Sequence, residues 1–124
     1  MPLSNQKYNE FSTKLEKFCL DLGMTENVNC SCKFYCYDAT NPIWLTELCG
    51  YPSAIVVFND KSKTIWIYPE LNEYRDDKII LEGDRQLSDN SNIYYYKKVI
   101  KNTIQKYKKF LVSKKIDKIN KDFQ

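Results

Sequence analysis

A chain of 124 residues with 43% apolar and 15% aromatic content suits one folded domain and is too apolar to be disordered over most of its length. Its net charge of +3 is unevenly shared: residues 91–124 hold ten lysines against Asp117 and Asp122, a local +8, which leaves −5 for residues 1–90. The chain has no histidine, which removes the usual general base and every His-containing zinc site, and its apolar runs are all too short to span a bilayer.

The first predicted element is a helix. Tyr8, Phe11, Leu15, Phe18 and Leu22 recur at spacings of 3, 4, 3 and 4, with Cys19 beside them, which makes one apolar stripe. Ser4 is placed to cap its start and Gly23 to stop it. The N-terminal segment MPLSNQKYNEFSTKLEKF lacks the apolar core of a signal peptide, so a cytoplasmic location is expected. The odd count of five cysteines (Cys19, Cys30, Cys32, Cys36, Cys49) agrees with reduced thiols.

Residues 28–37 change to a period of two, which predicts a half-buried strand. Val28, Cys30, Cys32, Phe34 and Cys36 fall on one face, expected to be the core face. Asn29, Ser31, Lys33, Tyr35 and Tyr37 fall on the other. Metal-binding thiolates usually leave turns at Cys-x2-Cys spacing, whereas these follow strand alternation, so buried thiols and no metal are expected.

Asn41-Pro42 marks a turn, and Ile43–Cys49 reads as a short helix closed by Gly50. Ala54–Phe58 and Thr64–Tyr68 read as a hairpin across the polar residues 59–63, with Pro69 ending the second strand. Residues 70–78 read as a charged loop and Lys78–Glu82 as a further strand. The last helix should begin between Ser88 and Asn92, with Ile93, Tyr96, Ile100, Ile104, Tyr107 and Leu111 as its stripe. Ile116, Ile119 and Phe123 fall off that stripe, so a break near Ser113 is expected. Residues 1–113 would then form the domain and residues 114–124 a basic tail or a separate short helix.

The order α-β-(short α)-β-β-β-α predicts an α+β fold, an antiparallel sheet of about four strands packed by the two terminal helices. Strand alternation sets Trp66 opposite Ile65 and Ile67. An open sheet face bearing Trp66, Tyr68, Tyr35 and Tyr37, extended by Glu73, Asp76 and Asp77, is the expected partner-binding surface.

The function expected first is that of a non-enzymatic protein-binding module without a cofactor. Lysine dominance suggests an AT-rich coding sequence of the phage or mobile-element kind, where such a module would inhibit or regulate a nucleic-acid-handling protein. The alternative is nonspecific nucleic-acid binding through Lys97, Lys98, Lys101, Lys108 and Lys109, since lysine neutralises phosphate while the rarity of arginine argues against base readout. A metal-dependent nuclease built from Asp60, Glu70, Asp76, Asp77, Glu82 and Asp84 is the second alternative, although their spacing fits no nuclease motif.

Overall fold

The computed structural model describes residues 3–29, 31–37, 54–73, 79–83 and 85–122. Helix α1 covers Asn5–Asp21, as the apolar stripe predicts. Ser4 caps it, its Oγ accepting from the Lys7 N–H at 3.3 Å. At the other end Gly23 adopts φ +80, and the N–H groups of Leu22, Gly23 and Met24 donate to the carbonyls of Phe18, Leu20 and Cys19. These bonds satisfy carbonyls that the helix end would leave open.

The expected single strand over residues 28–37 is instead a hairpin. Strand β1 (Thr25–Asn29) pairs antiparallel with β2 (Cys32–Cys36), Asn29 facing Cys32 and Thr25 facing Cys36. Strand β3 (Ala54–Asn59) joins β2, and β4 (Thr64–Ile67) joins β3 as expected. Between β3 and β4 the Asn59 side chain accepts from the Ser62 N–H at 3.0 Å, and Lys63 takes φ 57. Opposite β2 the register jumps from Val56 to Ala54, so Ile55 is an extra residue and β3 is bulged there.

Glu70–Glu73 is not loop but strand β5, paired with β6 (Ile79–Glu82) as a separate two-stranded sheet. The two-residue β7 (Arg85–Gln86) adds to β4, giving a five-stranded antiparallel sheet in the order β1-β2-β3-β4-β7. The short helix expected over residues 43–49 lies outside the described residues.

Helix α2 covers Ile93–Asp122. Asn92 begins it, its Oδ1 accepting from the N–H groups of Tyr94 (3.0 Å) and Tyr95 (3.4 Å). The break expected near Ser113 is absent. No glycine or proline interrupts residues 93–122, and once a helix is nucleated each added turn needs only its backbone bonds, whichever way its apolar side chains fall. Among the described residues no helix is long and apolar enough to cross a membrane.

One core joins both helices to one face of the large sheet. Tyr8, Phe11, Leu15 and Cys19 of α1 and Ile93, Ile100, Ile104 and Tyr107 of α2 enclose Tyr35, Val56, Phe58, Ile65 and Ile67. Thr103, 1% exposed, donates its hydroxyl to the Val99 carbonyl one turn back at 2.8 Å. Phe34, Cys36, Ala54 and Val57 form a second cluster on the opposite sheet face. The face assignment expected for β2 is therefore reversed: Tyr35 points beneath the helices, and Phe34 and Cys36 point away from them. Polarity alternation could not reveal this, because β2 is buried on both faces.

Candidate functional site

The structure does not bring the four expected aromatics together. Tyr35 is 1% exposed and lies in the main core. Tyr37 packs on the same side, its ring edge-on to Tyr107 at 5.5 Å between centroids. Tyr68 follows the end of β4 and packs against the main core as well. Trp66 alone of the four shares the opposite face, half-buried and in register between Val57 and Gln86. Glu73 lies at the end of β5, and Asp76 and Asp77 are outside the described residues.

The cysteines are scattered too. Cys19 is fully buried in the main core, where burial and then nearby Glu16 push its thiol up to about 12. Cys36 belongs to the second cluster, and half-buried Cys32 accepts from the Asn59 amide at 3.6 Å. Among the described residues no three His, Cys, Asp or Glu side chains are grouped to hold a metal. Of the residues considered for a nuclease, Glu70 and Glu82 are register partners across β5 and β6, whereas Asp60 sits in the β3–β4 turn.

A groove of ≈ 700 Å³ runs between α1 and the β1–β2 turn, lined by Tyr8, Glu16, Cys32, Lys33, Phe58 and Asp60 among others. Most of its charges are already paired: the Lys33 ammonium lies 3.1 Å from Glu16 and 3.3 Å from Glu26, and the Asp60 carboxylate lies 3.5 Å from the Lys63 ammonium. The contacts with Glu16 and Glu26 raise the Lys33 pKa, the Glu16 hydrogen bond most of all. Exposed Lys61 is the one lining cation outside the described ion pairs, so the groove offers a single cation beside charges that are already neutralised.

The outer face of α2 differs. Positions 94, 98, 101, 105, 108, 112 and 116 recur every three or four residues, share one side of the helix and are all exposed. In chain order they are Tyr94, Lys98, Lys101, Gln105, Lys108, Val112 and Ile116, with exposed Lys106 and Lys109 on the flanks. Lys98 and Lys109 are about 16 Å apart along the axis at 1.5 Å per residue. Lys97 is half-buried, its ammonium 5.5 Å from the Phe18 ring centroid and 5.7 Å from that of Tyr94. Arg85 donates to the Tyr95 hydroxyl at 3.1 Å, adding a cation beside the start of the helix.

No aspartate or glutamate occurs from Ile93 to Ile116. Among the described residues the ion pairs involve Lys7, Lys14, Lys33 and Lys63, and none lies on α2. The five lysines of the alternative expectation are thus brought onto one helix, four of them exposed. Sequence reasoning missed Val112 as an exposed apolar neighbour of this row. The signal was present in the offset of Ile116 from the buried stripe.

No family model matches the chain, and no curated protein or solved structure matches it either.

Proposed function

We propose that this protein is a non-enzymatic binding module that holds nucleic acid through the exposed lysines of α2, by phosphate contacts without base-specific readout. The observation that carries the reading is the row of exposed lysines between Ile93 and Ile116, where the sequence has no carboxylate and no described ion pair occurs. Lysines left without a carboxylate partner retain their charge for phosphate, and the counterions they displace supply the binding free energy. Tyr94, 75% exposed at the head of the row, offers a ring on which an unpaired base stacks. Regulation of a nucleic-acid-handling protein then operates at the nucleic acid itself and does not need the Trp66 face.

The test is fluorescence anisotropy with generic single-stranded RNA and duplex DNA across a salt series. Four lysine contacts to a single strand give a slope of log K on log salt of about −3. The Lys98→Glu/Lys101→Glu variant should flatten that slope and weaken every sequence alike. Absence of binding at about 50 mM salt removes the proposal.

A further inference from the structure

The distal part of α2 combines charge with exposed apolar surface, which phosphate binding does not require. Val112 is 56% exposed and Ile116 53%, one turn apart on the same side of the helix. With Lys108, Lys109 and Ser113 they line a groove of ≈ 400 Å³. The Lys108 ammonium also stands 5.8 Å from the centroid of the Tyr37 ring, so this stretch of α2 sits against the end of β2. Aliphatic side chains add nothing to a contact with phosphates in water, so phosphate binding leaves this apolar pair unused.

We infer that the Lys108–Ile116 stretch of α2 docks an acidic amphipathic helix of a partner protein. Leucine-type side chains would pack on Val112 and Ile116, and flanking carboxylates would face Lys108 and Lys109. Charge complementarity selects this occupant. A second copy of the chain would bring a helix equally free of carboxylates between residues 93 and 116, and the like charges would repel. Spacing also fits, because the four-residue step from Val112 to Ile116 is one on which a helix lays its apolar face. The inference goes beyond the nucleic-acid reading: it shares Lys108 and Lys109 with that reading and adds Val112 and Ile116, which phosphate binding does not use.

The probe is a fluorescein-labelled synthetic helical peptide with leucines every three or four residues and glutamates on both flanks, titrated with the full chain. Binding should weaken about tenfold or more in Val112→Ser/Ile116→Ser and similarly in Lys108→Glu/Lys109→Glu. A control peptide with serine replacing each leucine should lose binding to the same degree. Equal binding of the leucine and serine peptides means charge attraction alone and overturns the inference, as does failure of the leucine peptide to bind. Sedimentation with vesicles containing phosphatidylserine tests the lipid occupant. Vesicle binding that Val112→Ser/Ile116→Ser abolishes, with no peptide binding, assigns the patch to a membrane surface. A dimer in sedimentation velocity that the same variant abolishes assigns it to a second copy. Either result overturns the inference. Val112→Ser/Ile116→Ser should still bind RNA as the parent does, so failure of this inference is distinguishable from failure of the nucleic-acid reading.

Discussion

The Tyr35 ring meets the Phe58 ring edge-on, with centroids 5.7 Å apart and planes at 87°, beneath the two helices. Edge-to-face packing sets the positive ring edge against the negative face, which adds to the area that each ring buries. Tyr35→Ala should therefore cost about 3–5 kcal/mol, as expected for an aromatic removed from a filled core. Trp66→Ala, at a half-buried site on the other face, should cost about 2 kcal/mol or less. Urea midpoints of the two variants decide the matter, and a larger loss at Trp66 would contradict the face assignment.

High pH should unfold the protein through its buried acids. Burial, helped by the charges of Asp60, Glu16 and Cys32, pushes the Tyr8 phenol from its usual 10 up to about 12, and burial pushes the Cys19 thiol from 9 up to about 12. The folded chain holds both protons more tightly than the unfolded chain. The stability they contribute is full below about pH 9 and is lost as pH rises toward 12. Thermal midpoints should fall across that window, and Cys19→Ala should make the decline shallower. A flat profile to pH 12 would count against burial of both groups. In the folded state below pH 9, Cys19 should resist thiol reagents that modify Cys32.

Ser4 secures the entry to α1 twice, since its hydroxyl caps the Lys7 N–H and its own N–H donates to the Asp89 carboxylate at 2.9 Å. Ser4→Ala removes only the cap and should cost about 1 kcal/mol. Asp89→Ala should cost less, because its bond is exposed. Chemical denaturation of the two single variants separates these contributions.

Gly23 and Gly83 should differ when replaced by alanine. Both have positive φ, +80 and +76, which disfavours a side chain. At Gly23 an added Cβ meets nothing within 4 Å, so only the backbone penalty of about 1 kcal/mol applies. At Gly83 it would lie 2.9 Å from the Glu70 side chain, which must move aside. Gly83→Ala should therefore cost more than Gly23→Ala, and Glu70→Ala should relieve the excess.

Truncation after Ser113 tests the continuity of α2. Far-UV circular dichroism should show a loss of helix, because the helix runs on to Asp122. An unchanged spectrum would mean that the helix ends near Ser113 in solution.

The physical signals in the sequence were strongest where one face is buried and the other wet. The α1 stripe is of that kind and was readable directly from spacing, whereas the β3–β4 hairpin was readable from the polar turn between two apolar runs. Strand β1 was not, since Thr25-Glu26-Asn27-Val28-Asn29 has one apolar residue and an edge strand needs only backbone pairing on its inner side. Charged β5 was missed for a similar reason, its ladder with β6 being made by the backbone. The lysine row on α2 was readable because helical spacing is rigid. The proposed Trp66 surface was not, because the faces of Tyr35 and Tyr37 depended on which side of a doubly buried strand the helices cover.

Because α2 follows every strand in the chain yet supplies Ile93, Ile100, Ile104 and Tyr107 to the main core, synthesis order matters. At a few residues per second, the ribosome exposes the completed sheet for seconds before those side chains emerge. During that interval Ile65, Ile67 and Val56 present an apolar face that lacks the cover of α2, with α1 the one described helix already made. A nascent chain stalled before residue 93 should thus be a substrate for apolar-binding chaperones, and release of α2 from the exit tunnel should end that dependence.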